Sequence, residues 1–378
     1  MNEYDPGAAR RSGPPADLST GIVPSGQPLV GPAAGREADV ARGSAGERVR
    51  DRTSGRPLSH DDYRAAVRSR MADLDRLSPL PAGAGRPVSV ASGSDGAPDP
   101  AAELVPDERL IVALDVDGTI LDVNGRVSER MMAALTRMRA YGARIVTSTG
   151  RGIEAALPVA RHVGLTDGWM ICANGAITLR MDPAAPRGYE VADSVTFDPS
   201  DVIAALSSAV PDGIIAVEAL DGGFRVSRPF PDGELIEDQR VVPPQEMGSE
   251  PVTRVVLRAP GMAVEEFSAL VAGCGLYSVE YAIGWTAWLD VAPEGVTKAS
   301  ALRALAARLG TGAERVVAVG DGANDIEMIR WAGVGAVMGS APRAVRDCGD
   351  LVTGPVWHDG CAALLDAVVE RTRRRSQS

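Results

Sequence analysis

Cysteine is sparse and scattered: Cys172, Cys274, Cys348 and Cys361 form no C-x-x-C and share no Cys/His ligand spacing. That excludes a disulfide framework and fits a reducing compartment. Excess positive charge is missing too. The formal net charge is -11, which argues against nucleic acid as a main partner, because a phosphate backbone needs a basic face. An acidic protein still binds an anion where a metal or a local lysine inverts the field. No apolar run reaches the ~20 residues of a membrane helix. The opening Met1-Asn2-Glu3-Tyr4-Asp5-Pro6 lacks the basic and apolar regions of a signal peptide. The expected location is the cytoplasm, with no membrane partner.

What is present suffices for two ordinary domains and a tail, at 378 residues. Residues 1–107 are rich in Gly, Pro, Ala, Ser, Arg and Asp, with almost no periodic apolar pattern. Such a segment buries too little surface to offset the ordering of its chain, and is expected to be disordered. One stretch inside it differs. Ser59–Leu77 sets Tyr63, Val67, Met71 and Leu74 at helical spacing, with Ser59 as a cap and Asp61 and Asp62 in the first turn. It reads either as a short helix for a protein partner or as a transient helix in an unfolded tail, and the weight falls on the second.

The chain turns on Ile111-Val112-Ala113-Leu114-Asp115-Val116-Asp117-Gly118-Thr119. Four branched or apolar residues form a buried parallel strand. It ends in two carboxylates one residue apart, at the sheet edge where open α/β sheets bind ligands. A helix over 128–141, a strand over 143–147, a helix over 153–163 and a strand over 169–173 follow, which is the βαβ rhythm of a parallel sheet. From Ile177 to Val291 the rhythm changes to helix–strand–strand, twice. A helix capped by Asp198 runs to Val210. Hairpins form around Asp221-Gly222-Gly223 and Ile283-Gly284, and 229–251 reads as loop. After Pro293 the βα rhythm returns, beginning with a helix at Thr297. The expected domains are a core of 108–177 and 293–378 and an inserted α+β cap of 178–292, placed as a lid.

Polar groups then collect at one edge: Asp115, Asp117, Thr149, Lys298, Asp321, Asn324 and Asp325. Four carboxylates cannot share a pocket ionised without a cation. Hard oxygen ligands without His or Cys suit Mg²⁺. A lysine beside a metal and a hydroxyl is what phosphoryl oxygens need. One aspartate can attack phosphorus and the other can handle the leaving group's proton.

Asp115-x-Asp117-Gly-Thr, Thr149 in Ser-Thr-Gly-Arg, Lys298 in Glu-Gly-Val-Thr-Lys, and Gly320-Asp321-Gly322-Ala-Asn324-Asp325 resemble the four motifs of the haloacid dehalogenase superfamily, in order. The Asn174-Gly175-Ala176 and Asp359-Gly360 segments resemble its Cof-type branch. The resemblance covers about residues 109–372. It implies a Rossmann-like parallel-sheet α/β core with an inserted α+β cap of the C2B kind. It also implies a Mg²⁺-dependent phosphatase acting on a small phosphorylated metabolite, such as a sugar phosphate, through an aspartyl-phosphate. By position, Asp115 is the nucleophile and a metal ligand. Asp117 is the general acid and base, with its carbonyl on the metal. Thr149, Lys298 and Asn324 hold phosphate, Arg151 and Asn174 stand near the substrate, and Asp321 and Asp325 hold the metal.

Plainer readings apply elsewhere. His162 and His358 are surface or capping residues, and Cys172 is a small buried residue. Of Trp285 and Trp288, at least one packs the cap. Two other functions fit the residues: a phosphomutase-type phosphotransferase on the same site, and a non-catalytic phosphate-binding regulatory module. The second resembles response-regulator receivers less well, because their acids are adjacent and no cap intervenes.

Overall fold

A computed structural model describes residues 29–30, 57–77, 104–220, 223–235, 237–276, 279–283 and 287–376. Most of the tail expected over 1–107 lies outside these residues. So do the turn at Asp221-Gly222, residues 277–278, and residues 284–286 with Trp285.

The first described elements are β1 (Leu29–Val30) and α1 (His60–Leu77). The core begins with β2 (Ile111–Leu114), α2 (Glu129–Ala140), β3 (Arg144–Ser148), α3 (Ile153–His162) and β4 (Gly168–Cys172). β5 (Ile177–Met181) and β6 (Tyr189–Ser194) come next. The cap holds α4 (Ser200–Ala209), β7 (Ile214–Glu218), β8 (Phe224–Val226), β9 (Gln239–Val241), α5 (Pro244–Met247), β10 (Arg254–Arg258), α6 (Val264–Gly273), β11 (Val279–Ile283) and β12 (Trp288–Pro293). The chain returns with α7 (Lys298–Arg308), β13 (Val316–Gly320), α8 (Ile326–Trp331), β14 (Val334–Val337), α9 (Arg343–Arg346), β15 (Leu351–Val352) and α10 (Gly360–Ser376).

The core sheet runs β15-β14-β13-β2-β3-β4-β5-β6. It is parallel from β15 to β4, with β5 and β6 antiparallel at one edge. β2 is apolar throughout because both of its faces are covered. Leu110, Val112 and Leu114 join the cluster that also holds the apolar faces of α2 and α10, while Ile111 and Ala113 join the cluster of α7. From β2 the chain winds one way through β3 and β4, and later returns on its other side as β13. Strand order therefore reverses at β2, which makes its carboxyl end the crevice of the sheet. Among the described residues no helix is long and apolar enough to cross a membrane.

Four expectations are corrected. β5 and β6 belong to the core sheet, so the cap does not begin at 178. The sequence reading names neither strand; Ile177, Leu179 and Met181 pack into the core cluster. The cap sheet runs β1-β11-β12-β10-β7-β8-β9, and an isolated antiparallel bridge joins Phe197 to Val252. The stretch 229–251 is not all loop, since β9 pairs in parallel with β8 and α5 buries Met247. Asp198 does not itself occupy the cap position of α4, which Pro199 holds, although its carboxylate accepts the Ser200 N–H at 2.9 Å.

The fourth correction concerns the tail. Leu29 and Val30 pair with β11 at the cap edge. α1 is not a transient helix but part of the core. Its Tyr63, Val67, Met71 and Leu74 are buried in the same cluster as Leu364, Leu365 and Val368 of α10. Ser59 caps it by accepting the Asp62 N–H at 3.1 Å. Tyr63 donates to Asp366 at 2.8 Å, and Asp366 also receives two bonds from Arg137, each 2.8 Å. Burial and then Asp366 push the Tyr63 hydroxyl well above its ordinary range. One apolar face was legible; its partner lies some 300 residues away in the chain. Leu74 is fully buried, so Leu74→Ala is expected to lower the unfolding free energy by about 3 kcal/mol through lost contacts and a residual cavity. Urea denaturation reads this directly. A loss below about 0.5 kcal/mol would show that α1 does not pack in solution.

Candidate active site

Asp115 and Asp117 leave the end of β2 side by side with the end of β13. The Asp115 N–H donates to the Val319 carbonyl at 2.9 Å, which brings Asp321 beside the β2 acids. Between them Gly118 turns the chain with φ +83°, and a Cβ there would stand 2.2 Å from a carboxylate oxygen of Asp321. Only glycine permits that approach.

Lys298 is the first residue of α7, whose N-terminus is closed by a reciprocal Thr297–Ser300 box. A cation in the first turn opposes the helix dipole, so the lysine is not there for the helix. Its ammonium, 1% exposed, donates to Asp115 and to Asp325, each at 2.7 Å. Asp325 is fully buried and also accepts the N–H groups of Asp321 at 3.0 Å and Gly322 at 2.9 Å. Carboxylate oxygens of Asp115, Asp321 and Asp325 lie within 4.8 Å of one another.

The electrostatics follow from this crowding. Burial, and then the charge of Asp325, push the Asp115 carboxyl up to about 7 despite Lys298. Asp321 is raised well above the carboxylate range by burial, Asp115 and Asp325. Burial disfavours the Lys298 charge, but Asp115 and Asp325 more than offset it and hold the lysine protonated. Two buried carboxylates share one ammonium and half-buried Asp321 stands beside them, a donor set suited to a hard divalent cation.

Asp117 is held apart from this cluster. Arg151 grips it with two bonds, Nε to one oxygen at 2.9 Å and a terminal nitrogen to the other at 2.6 Å. Burial lowers the affinity of Arg151 for its proton, and Asp117 restores it and more. The hydroxyl of Thr149, at the end of β3, accepts the Arg151 N–H at 3.1 Å. The next loop is stitched to this one: Asn174 N–H donates to the Thr149 carbonyl at 3.1 Å and Ala173 N–H to the Arg151 carbonyl at 2.8 Å. Ala173 (φ 49°) and Asn174 (φ 52°) are both left-handed, a costly conformation that clusters at functional sites. Asn324 donates to Asn174 at 3.0 Å. The nine residues singled out from the sequence thus stand on the segments that follow β2, β3, β4 and β13 and at the start of α7.

The cap adds residues that sequence reasoning missed. Arg254, buried at the start of β10, donates to Glu218 at 2.6 Å, to Asp290 at 3.3 Å, and across the domain boundary to the Gly150 carbonyl at 2.8 Å. Trp288 donates to Asp290 at 2.9 Å. Glu237 also faces this junction. Gly152 makes the approach possible, since a Cβ there would meet a Glu218 oxygen at 2.1 Å and a Glu237 oxygen at 3.0 Å. The signal was a charge inside an apolar strand: Glu218 ends Ile-Ile-Ala-Val-Glu and Arg254 opens Arg-Val-Val-Leu-Arg. Cys172 is buried, and burial raises its thiol far out of the reactive range. His162 is exposed, and His358 is half-buried against Trp357.

A parallel α/β core whose strand ends gather four carboxylates and a buried lysine beneath an inserted cap is the architecture of a capped hydrolase. A family model described as haloacid dehalogenase-like hydrolase matches residues 112–209 and 263–365, and the chain belongs to that family of hydrolases. The 5-amino-6-(5-phospho-D-ribitylamino)uracil phosphatase YitU of Bacillus subtilis is 25% identical to it over 264 residues, covering 68% of this chain and 96% of that protein. A phosphoglycolate phosphatase of Halobacterium salinarum is 27% identical over 257 residues, covering 68% and 96%. Among solved structures, the phosphatase BT1666 from Bacteroides thetaiotaomicron matches with a TM-score of 0.58 at 25% identity, over 73% of this chain and 99% of that one. The matched stretches leave out α1 and the cap residues 210–262.

Proposed function

We propose that the protein is a Mg²⁺-dependent phosphatase that hydrolyses a small phosphorylated metabolite through an aspartyl-phosphate on Asp115. The observation that carries this reading is the Lys298 ammonium set between Asp115 and Asp325, with Asp321 inside the same 4.8 Å cluster. The names of the curated relatives, a ribitylaminouracil-phosphate phosphatase and a phosphoglycolate phosphatase, support the reaction.

The carboxylates of Asp115, Asp321 and Asp325 would hold the cation, which when bound neutralises phosphoryl oxygens and offsets the repulsion among these acids. In the first step an Asp115 oxygen attacks phosphorus. The bond from phosphorus to the leaving oxygen breaks, and Asp117 supplies the proton that oxygen needs. In the second step Asp117 takes a proton from water, the water oxygen bonds to phosphorus, and the bond to Asp115 breaks, releasing phosphate. Both oxygens of Asp117 accept from Arg151 in the structure, which holds the side chain in place for both proton transfers. Thr149 and Lys298 bind the non-bridging oxygens as charge spreads onto them, and Asn324 orients the same group.

Free phosphate release from a panel of phosphorylated metabolites, with Mg²⁺ and with EDTA, tests the proposal. The expected result is release with Mg²⁺ and a fall of about a hundredfold or more without it. An isomerised sugar phosphate with no free phosphate would instead identify a mutase.

A further inference from the structure

We infer that Glu237, in the cap, reads the part of the substrate beyond the phosphate, and that it selects leaving groups rich in hydroxyl or amino hydrogens over those bearing a carboxylate. The inference rests on the phosphatase reading above. Glu237 is 9% exposed. Among the described residues it accepts no hydrogen bond and makes no ion pair, whereas its neighbours are engaged. Glu218 accepts from Arg254, and Asp290 accepts from Arg254 and Trp288. The charge of Glu237 acts on the Arg254 and Arg151 guanidiniums without a direct bond to either, which leaves acceptor capacity for a ligand.

Its position suits that use. One Glu237 oxygen lies 3.0 Å from where a Gly152 side chain would begin. Gly152 follows Arg151, which grips Asp117, the residue assigned to the leaving-group oxygen. An acceptor at that place meets whatever the leaving oxygen is attached to. A carboxylate is an acceptor only, so it pairs with O–H and N–H groups and repels a second carboxylate. The surroundings sharpen the preference. Glu218, Glu237 and Asp290 gather around one guanidinium, so this part of the cap is negative overall.

The test uses the full chain with Mg²⁺ and three kinds of phosphomonoester. They are linear polyol and sugar phosphates, phosphoglycolate, and p-nitrophenyl phosphate, whose leaving group has neither donors nor a carboxylate. Phosphate release gives kcat/KM for each with the parent chain, Glu237→Ala and the isosteric Glu237→Gln. The parent is expected to favour its best polyol or sugar phosphate over phosphoglycolate. Glu237→Ala should lower the kcat/KM ratio of that substrate to p-nitrophenyl phosphate by about tenfold or more, the worth of a hydrogen bond to a charged group. Glu237→Gln, which removes the charge and keeps the shape, should raise the ratio of phosphoglycolate to p-nitrophenyl phosphate by about tenfold. Ratios within about twofold of the parent in both variants, or a parent that prefers phosphoglycolate, overturn the inference while hydrolysis itself stands. No phosphate release from any substrate overturns the phosphatase reading, and this inference with it.

Discussion

Asp115→Asn is expected to release phosphate at least about ten-thousandfold more slowly than the parent chain while remaining folded. The amide nitrogen and oxygen keep the shape of the side chain but cannot form the acyl phosphate. The variant should not lose stability, because the native charge is unwelcome where it sits. Burial and Asp325 already push the Asp115 carboxyl up to about 7. Lys298 keeps its second partner, Asp325, at 2.7 Å after the exchange. Steady-state phosphate release and thermal melting, measured on the same preparation, separate chemistry from folding. Mg²⁺-dependent release within about tenfold of the parent would remove Asp115 from the role of nucleophile.

Lys298→Met should cost both stability and turnover. The substitution keeps most of the volume of the stem and removes a fully buried ammonium. Asp115, Asp321 and Asp325 then face one another with no cation between them in metal-free protein. Breaking a buried charge pair by removing one partner costs about 3–5 kcal/mol, because the remaining charge stays buried and unpaired. The reciprocal Thr297–Ser300 box should still start α7, so the loss would report the site and not the helix. Turnover is expected to fall by about a hundredfold to a thousandfold, the cost of one lost electrostatic contact to the transferring group. Mg²⁺ should return part of the stability but not the turnover. Urea denaturation with and without Mg²⁺ reads the first effect and phosphate release the second. A stability loss below about 1 kcal/mol would mean that the three-way contact does not form in solution.

Much of the site could be read before any coordinates. The acids of β2 announce themselves because a strand buried on both faces must be apolar to its last residue, so two carboxylates at its end stand out. Lys298 was legible only in company. Alone, a lysine at a helix start reads as solvated. The cap residues were harder. Glu218, Arg254 and Asp290 look like ordinary strand charges until antiparallel register sets Arg254 opposite Glu218 and Val256 opposite Asp290. Arg151 was placed near the substrate, yet its bidentate hold on Asp117 spans 34 residues and comes from the pairing of β2 with β3. The helix over 60–77 showed the right apolar stripe, but a stripe does not say whether a partner surface exists.

The sequence by itself determined the alternation of strands and helices, the insertion of a second domain and the residue types at the sheet edge. Each of these follows from local periodicity and from chemistry carried by short segments. Tertiary structure decided which groups meet. It set Lys298 between Asp115 and Asp325, joined β5 and β6 to the core, and seated α1 on α10. It also brought the cap down until Arg254 reached Gly150 and Glu237 stood beside Gly152. These outcomes depend on contacts between residues tens to hundreds of positions apart. A local pattern carries no record of such contacts, because packing and strand order create them only when the chain closes on itself.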